Sequence, residues 1–437
     1  MLLYAEHITP RLTYIIDYLA HHVFLAPINI TQRRDEALHY DGALINYSTE
    51  RIREIEWFLR PSGLLEEKGI RTVHPPVSLY ENRILLFPQV DSDFPFDVFS
   101  ALFYLLSRYE EYLDSPKDAF GRFSHKQSLA WKHDFLQIPL ADYWLEDVKK
   151  SLQQRYPHIT FRNAEFSFTP TYDIDIAWSY LHKGWYRNAG GLIRDLLQLK
   201  TSDITERMHV LAHWQLDPYD VYDWLENTHL TYHLKPIYFF LLSNGSHPLD
   251  KNIHPRKKAL RKLLKDLSNI NTIGVHPSME SNADNAVFIK ELAHFKEITG
   301  QAPACSRQHY LYVQLPDTYR QLITAGIERD YSMGYGTVNG FRASTSKSFL
   351  WYDLLRETST PLRLFPFAFM DANAFYVSKS DPAATLQELI DLYGHVKAVN
   401  GQFITVFHNH ILGTGSQFRG WKEMYCAFLD YVSRTNV

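Results

Sequence analysis

Asp173 and Asp175 follow an apolar stretch, residues 166–172 (FSFTPTY), whose composition predicts a buried strand. Because side chains alternate between the two faces of a strand, both carboxylates are expected to point the same way. Two like charges on one apolar face repel each other and cost desolvation unless something pairs with them. A metal ion bound to one carboxylate, with the other left as a base, would resolve that cost. The alternative is a helix entered at Ile176 and capped by these aspartates, and an isolated aspartate pair is more often of that kind.

Other expected strands also end in polar residues. The strand at 272–275 is followed by a histidine, and the last predicted strand, 402–408, ends in one. In barrels of parallel strands the carboxyl ends meet on one face, where active sites lie. Several such ends together are difficult to explain by turn chemistry alone, and they favour a catalytic or metal site. Besides the two aspartates, the polar residues at these ends are His276, Arg307, His309, Asp330 and His408.

Strands and helices alternate along the C-terminal part of the chain, from residue 163 onward. This alternation predicts parallel strands wrapped by helices, in a barrel or a doubly wound sheet. Two of the intervening helices are expected at 286–296 and 384–396. The expected strands are 166–172, 236–242, 272–276, 306–311, 326–331, 362–369 and 402–408.

Residues 1–160 are expected to form a separate, smaller domain of the α/β or α+β class, with the second domain over 163–437. Apolar residues at helical spacing predict helices over 12–24 and 96–112. We interpret Arg108 and its neighbours Glu110 and Glu111 as a surface ion-pair cluster or an interdomain contact, because no nucleophile or ligand spacing accompanies them.

Composition narrows the function classes. The 437 residues include 45% hydrophobic and 22% charged residues, which is typical of a globular protein in solution. A net charge of −4 gives no reason to expect a nucleic-acid partner. With two cysteines, Cys305 and Cys426, neither a disulfide framework nor a cysteine zinc site can be built. The first residues lack the apolar run of a signal peptide, and no stretch has membrane-spanning length, so a cytoplasmic location is expected.

Four motifs resemble those of the polysaccharide deacetylases, carbohydrate esterase family 4, which have the NodB-homology fold. They occur in the family's order as TYDID (171–175), GVHPS (274–278), RQHY (307–310) and FITVFH (403–408). The resemblance covers about residues 163–437 and implies a distorted (β/α) barrel of about seven parallel strands. Residues 1–160 resemble an accessory module that precedes such domains in some bacteria.

The resemblance also implies roles for individual residues. Asp173 would be the base and His408 the general acid, and Arg307 would orient Asp173. Asp330 or Asp371 would pair with His408. The backbone N–H near Tyr310 would stabilise the oxyanion. Arg342 is expected either to contact substrate or to form a structural salt bridge.

The metal ligands implied by the resemblance are Asp175, His276 and one further residue. The family has a second histidine four residues after the first, and Glu280 occupies that position here. His309 replaces the proline of the third motif. We favour His309 over Glu280, because imidazole suits a zinc-like site. A hydrogen-bonded core histidine is the alternative for His309.

Together these features predict a metal-dependent hydrolase, with zinc as the expected divalent ion. The expected substrate is an N-acetyl or O-acetyl group on a glycan. One alternative is a metal amidohydrolase of a small cyclic amide, which the allantoinase-like positions Pro366 and Asp371 keep open. Another is a non-catalytic glycan-binding protein on a degenerate barrel, which the altered second motif favours. The sequence leaves the oligomeric state open.

Overall fold

The computed structural model describes residues 1–245 and 247–435, so the last two residues of the predicted second domain lie outside the described residues. The strands are, in chain order, β1 (Leu2–Ala5), β2 (Asn29–Thr31), β3 (Leu44–Tyr47), β4 (Trp57–Leu59), β5 (Val77–Tyr80), β6 (Arg83–Leu86), β7 (Ser167–Ile174), β8 (Ile237–Phe240), β9 (Thr272–Val275), β10 (Cys305–Ser306), β11 (Arg329–Asp330), β12 (Phe349–Asp353), β13 (Thr358–Leu364), β14 (Phe369–Met370) and β15 (Gln402–His408).

Helices connect most of these strands. The α-helices are α1 (Pro10–His22), α2 (Arg34–His39), α3 (Val98–Leu106), α4 (Leu129–Lys132), α5 (Leu140–Arg155), α6 (Trp185–Leu197), α7 (Thr201–Leu211), α8 (Tyr222–Thr231), α9 (Lys258–Ile270), α10 (Met279–Ala283), α11 (Asn285–Thr299), α12 (Asp317–Thr324), α13 (Pro382–Ala398) and α14 (Trp421–Thr435). Single 3₁₀ turns lie at Leu64–Glu66, Tyr109–Tyr112, His125–Gln127, His309–Leu311 and Ser416–Phe418, and a π-helical turn at Asn373–Ser378. None of the helices in the described ranges has both the length and the apolar character needed to cross a bilayer.

Local capping fixes where the clearest helices begin. The Thr9 hydroxyl accepts a hydrogen bond of 3.1 Å from the Leu12 N–H at the start of α1, and Pro10 occupies the first helical position. Asp381 accepts one of 2.8 Å from the Ala384 N–H at the start of α13. Both are standard helix-start arrangements, since the side chain satisfies an N–H that has no partner within the helix. They explain why these helices begin close to the predicted positions.

The N-terminal half contains a parallel sheet with the strand order β2-β1-β3-β4. Leu3 pairs with Ile30 on one side and Ile45 on the other. A separate antiparallel hairpin, β5-β6, lies outside this sheet. Of the two predicted classes, α/β and α+β, the N-terminal half therefore has the parallel strands and helices of the α/β class.

The second sheet has the order β12-β13-β11-β10-β9-β8-β7-β15-β14, and all its neighbouring pairs except β12-β13 are parallel. Only residues 365–368 separate β13 from β14, which lie seven places apart in this order. In a flat sheet that separation would be about 34 Å. The linking chain spans at most about 18 Å. The sheet is therefore strongly rolled, although no strand ladder closes it among the described residues.

Three details of the strand predictions are wrong. The predicted strand 362–369 is the end of β13 and the whole of β14, which are two separate strands seven places apart in the strand order. The predicted strand 306–311 stops at Ser306, and its remainder forms the 3₁₀ turn that contains His309. The antiparallel strand β12 was not predicted. Local periodicity detects extended backbone, but it does not specify the neighbours with which that backbone pairs.

The two halves share one buried apolar cluster, which includes Ile15 of α1, Phe103 of α3 and Tyr352 of β12. The Tyr14 hydroxyl donates a hydrogen bond of 2.8 Å to the Leu350 carbonyl across this boundary. The N-terminal half is thus packed against the β12-β13 edge of the second sheet. A domain boundary near residue 160 stays a prediction.

Buried ion pairs also join the halves. Arg108 contacts Glu110 and Glu111 at 2.8 Å each, and Arg342 of the C-terminal half contacts Glu111 at 2.5 Å. All four side chains are buried, so the interpretation as a surface cluster is wrong and the contact between halves is confirmed. Burial alone would raise the pKa of Glu111, but the two guanidinium groups lower it to about 2. Arg342 therefore forms the structural salt bridge that the sequence left as one of two possibilities.

Candidate metal centre and catalytic cleft

The predicted site residues meet at the carboxyl ends of the central strands. On neighbouring strands β7 and β15, Asp173 pairs in register with His408. On the other side of β7, Val275 of β9 pairs with Ser306 of β10, so the residues that follow them, His276 and Arg307, are also adjacent. No helix starts at Ile176, since α6 begins at Trp185, and the capping alternative for the aspartates is wrong.

Asp175, His276 and His309 form a cluster whose potential ligand atoms lie within 4.8 Å of one another. The Nε2 atom of His276 is 3.2 Å from Asp175 Oδ1, and that of His309 is 3.8 Å from Asp175 Oδ2. Glu280 is not a member of this cluster, and its backbone N–H faces Asp250 instead. Of the two candidates for the third ligand, the structure thus brings His309 to the other two.

The remaining ring nitrogens of both histidines are held by hydrogen bonds. His276 Nδ1 donates to the Arg307 carbonyl at 2.5 Å, and His309 Nδ1 donates to Asp250 Oδ1 at 2.7 Å. Each bond leaves the Nε2 atom on the side of Asp175. Such outer partners fix ring orientation and tautomer at metal-binding histidines.

The cluster fits a divalent ion. Asp175 Oδ1 is buried and has no hydrogen-bond partner among the described residues, although His276 Nε2 is close. Buried polar atoms are normally satisfied, so this oxygen lacks a partner that a cation would supply. Two imidazole nitrogens and one carboxylate oxygen make a ligand set that zinc accepts, with room for further ligands.

Electrostatics at the cluster point the same way. Burial alone would raise the pKa of Asp175, but the positive charge of His309 and the close approach of His276 lower it well below its usual range. Burial lowers the pKa of His309, yet Asp175 and Asp250 raise it to about 9. Both shifts reflect the attraction between these carboxylates and positive charge at the cluster.

Asp173 lies beside this cluster and is held by Arg307. Arg307 Nη1 donates to Asp173 Oδ1 at 2.7 Å, and its Nε donates to the Tyr331 carbonyl at 3.0 Å. The guanidinium is fully buried and stacks over the Phe239 ring at 4.4 Å. The second oxygen of Asp173 lies 3.7 Å from His276 Nε2, on the side of the cluster.

His408 completes the group, and Asp371 holds it. Asp371 Oδ1 accepts a hydrogen bond of 2.6 Å from His408 Nδ1, and its Oδ2 accepts one of 2.7 Å from the His408 backbone N–H. His408 Nε2 lies 3.7 Å from Asp175. Burial alone lowers the pKa of His408, but Asp371 and then Asp175 raise it to about 10.

Asp330, the other predicted partner of His408, has different contacts. Its carboxylate accepts hydrogen bonds of 2.9 Å from the hydroxyls of Ser306 and Ser332. The Ser332 hydroxyl in turn accepts one from the Gln308 N–H. Asp330 therefore supports the turn after β10 and is not paired with His408, which corrects that part of the prediction.

The N-terminal half contributes to the same cleft. Arg122 donates a hydrogen bond to the Tyr310 carbonyl, and the Phe120 ring lies 5.2 Å from the Tyr310 ring. Tyr310 has a positive φ of 55°, so its backbone is held in an uncommon conformation. At Gly336 a Cβ atom would lie 2.1 Å from Arg122 Nη1, so a larger residue there would displace this guanidinium from its present position.

The N-terminal residues 1–157 match a family described as a family of unknown function, DUF7033. None of the curated proteins matches the chain in sequence. Residues 1–157 are about a third of the chain, so the match covers only this N-terminal part, which corresponds to what is called the N-terminal half above.

Solved structures resemble the chain weakly. A putative polysaccharide deacetylase from Mycobacterium smegmatis is 10% identical over 63% of this chain and 86% of its own, with a TM-score of 0.40. An allantoinase is 10% identical over 74% and 92%, with a TM-score of 0.39. A mutant pseudoenzyme of the CE4 family with restored activity is 12% identical over 67% and 79%, with a TM-score of 0.29. At these scores the likenesses carry no weight for function.

The cleft around the cluster has a volume of about 460 Å³, within the range of about 300–1,000 Å³ typical of small-molecule sites. Tyr310 lines it, whereas Arg342 does not. Also in the lining, the Tyr376 hydroxyl lies 3.3 Å from His410 Nε2. His410 Nδ1 is buried there without a hydrogen-bond partner among the described residues.

Sequence reasoning missed Asp250, Arg122, Phe120 and Tyr376. Asp250 lies in the loop after β8, ten residues beyond the strand end, so no strand-end pattern marks it. The one sequence feature that could have indicated Asp250 is its place in the loop that follows the carboxyl end of a predicted strand. Arg122 and Phe120 lie in a segment, DAFGRF, that carries no ligand spacing.

Proposed function

We propose that this protein is a metal-dependent hydrolase that removes N-acetyl or O-acetyl groups from a glycan. The observation that carries the proposal is the convergence, in one cleft, of a three-residue ligand cluster with two separately supported proton-transfer groups. Asp173 is held by Arg307, and His408 is held by Asp371. A site that only bound a sugar would not need both a supported base and a supported acid.

Asp175, His276 and His309 would hold the ion, and zinc fits this nitrogen and oxygen donor set. When bound, it would supply Lewis-acid stabilisation of the acyl oxygen and a lowered pKa for the attacking water. Asp250 and the Arg307 carbonyl keep both imidazoles in the binding tautomer.

Asp173 acts as the general base. Its Oδ1 is occupied by Arg307, so Oδ2, on the side of the ligand cluster, is the oxygen available to accept the water proton. Arg307 is fully buried and bonded to a backbone carbonyl, which prevents the carboxylate from rotating away. A positioned base of this kind contributes about 10²–10⁴ to the rate.

His408 acts as the general acid. Because Asp371 binds its Nδ1, the proton to be donated is on Nε2, which faces the cleft. It would protonate the departing amine or alcohol. Asp173 and His408 lie side by side on neighbouring strands, so proton acceptance and donation occur on either side of one acyl carbon.

The cleft walls suit a sugar ring. Tyr310 and Phe120 supply aromatic surface on one side, and Tyr376 with His410 supplies polar groups on another. The Tyr310 N–H, in a backbone conformation held by Arg122, is the candidate oxyanion donor.

A small cyclic amide is the second candidate substrate. The cleft volume of about 460 Å³ would enclose a compact molecule as well as one sugar unit. The bond broken would again be an amide, and the same residues would act.

Acetate release provides the test. Zinc-loaded protein should release acetate from an N-acetylated chito-oligosaccharide or from an O-acetylated glycan, and Asp173→Asn protein should not. Removal of the ion with a chelator should abolish release, and added zinc should restore it. Ring opening of a cyclic amide with no acetate release would favour the second candidate. Tight glycan binding without turnover of any substrate, in protein with one bound ion, would contradict catalysis.

A further inference from the structure

A second cavity, of about 770 Å³, adjoins the catalytic cleft. Ile176 and Lys251 line both spaces. Ile176 directly follows the predicted ligand Asp175, and Lys251 directly follows Asp250, which holds His309. The cavity therefore opens beside the metal centre.

The wall of this cavity is strongly cationic. Against six basic residues it has three acidic ones, Asp195, Asp203 and Glu206. The basic residues, called the basic lobe below, are Lys183, Arg187, Arg194, Lys200, Arg207 and Lys251.

Two of the three acids are already engaged within the protein. Asp195 is buried and contacts Arg207 at 2.5 Å and Arg194 at 3.3 Å. Glu206 accepts a hydrogen bond of 2.9 Å from the Tyr180 hydroxyl. Asp195 therefore offsets part of the charge of its two arginine partners, while Glu206 keeps its own charge, and six basic against three acidic residues leave the wall with a formal net charge of +3.

Lys183, Lys200 and Lys251 form no ion pair with any described residue. Lys183 is half-buried, and burial followed by the charge of Arg187 lowers its pKa to about 8, although Asp217 acts in the opposite direction. Like charges gathered in a cavity repel each other unless an anion binds between them. The basic lobe thus has the composition of an anion site.

We infer that the basic lobe binds an anionic group, a phosphate or a carboxylate, on the same substrate whose acyl group lies at the metal centre. The inference rests on the proposed function and specifies its substrate class as an acylated glycan with an acidic substituent. Lysine and arginine side chains bind such groups through charge-assisted hydrogen bonds. The continuous lining through Ile176 and Lys251 allows one molecule to occupy both spaces.

The test compares three acetylated disaccharides: one neutral, one with a phosphate and one with a uronate carboxylate. The variants are Lys183→Met with Lys200→Met, and Lys200→Glu alone, which changes an exposed position and should not affect folding. The matched control is Lys132→Met, an exposed lysine of α4 in the N-terminal half. The measured quantity is kcat/KM for each anionic disaccharide divided by kcat/KM for the neutral one.

We expect the parent to prefer at least one anionic disaccharide. In both lobe variants that preference should fall by about ten- to a hundredfold, the size expected for a lost charged hydrogen bond. The phosphate and carboxylate arms show which anion is bound. The control should keep the preference of the parent.

Equal turnover of neutral and anionic disaccharides by the parent would overturn the inference while leaving the proposed function intact. So would a preference that the lobe variants keep. If no disaccharide is hydrolysed, the proposed function fails. Calorimetric titration with inorganic phosphate then tests separately whether the basic lobe binds an anion. Binding that is weakened in Lys200→Glu and retained in Lys132→Met would support the anion site, and equal binding in both would reject it.

Discussion

The guanidinium of Arg122, in the N-terminal half, donates a hydrogen bond to the backbone carbonyl of Tyr310, on the wall of the candidate catalytic cleft. Arg122 is itself anchored by Asp118 at 2.7 Å. The N-terminal half therefore does more than precede the second sheet, because it fixes the backbone of a cleft residue.

Arg122→Ala should lower kcat/KM for the acetylated substrate by about 10–10², because a small misplacement of a cleft residue is costly in rate. Bound metal should remain, since no ligand is touched. Kinetics together with metal analysis by mass spectrometry check this. Arg51→Ala, which removes an exposed ion pair with Asp93, is the control. Unchanged kinetics in folded Arg122→Ala would leave the contact a purely structural one.

Changing Asp173 or Asp175 to asparagine should have different effects on metal binding and on kcat. Asp173→Asn keeps the shape but removes the base, so metal should stay while kcat falls by about 10²–10⁴. Asp175→Asn replaces an anionic ligand with a neutral one, so metal binding should weaken first, and excess zinc should restore part of the rate. Loss of metal from Asp173→Asn with full metal in Asp175→Asn would reverse the assignment.

Asp250→Asn should weaken metal affinity by about 10–100-fold, the usual effect of losing a carboxylate that orients a ligand histidine. The reason is the hydrogen bond of 2.7 Å from His309. Competition with a chelating dye measures the affinity. Asp266→Asn, at an exposed position of α9, is the control. Glu280→Gln should leave the affinity unchanged, and a loss there greater than in Asp250→Asn would make Glu280 the third ligand.

The Glu291 carboxyl should make folding less favourable as pH rises. It is fully buried, and one of its oxygens has no hydrogen-bond partner among the described residues. Burial raises its pKa from 4.5 to about 7, with Asp250 acting in the same direction and Ser278 and His309 against it. The folded state therefore holds the proton more tightly than the unfolded chain. The resulting stabilisation is fully present below about pH 4.5 and is lost as pH rises through about 7.

Urea denaturation of the parent and of Glu291→Gln, in the same metal state, measures this effect. Between pH 4.5 and 8 the parent should lose on the order of 3 kcal/mol of unfolding free energy relative to the variant, because glutamine cannot ionise. A difference between the two proteins that does not change with pH would mean that the carboxyl titrates normally.

Much of the candidate site could be predicted from the sequence. Alternation along the stretch that ends β7 predicts that Asp173 and Asp175, the latter directly after the strand, face the same way, and the carboxyl ends of parallel strands must meet at one edge. That reasoning needs only local patterns, so it located His276, Arg307 and His408 as well. Helix starts such as Thr9-Pro10 are equally local, since the capping side chain lies within three residues of the N–H that it binds.

Other features depended on the path of the chain in three dimensions. The end of β13 and the whole of β14 appear as one run of residues, but they lie seven places apart in the strand order, and only the rolling of the sheet brings them within reach of the short link. Asp250 reaches His309 across 59 positions, and Arg122 reaches Tyr310 across 188. Strand and helix periodicities describe only neighbouring residues, so they cannot foresee contacts made by a loop or by the packing of one half of the chain on the other. The sequence by itself therefore determined which residue types stand at the strand ends, whereas the tertiary structure decided which partner holds each of them, because those partners come from distant segments.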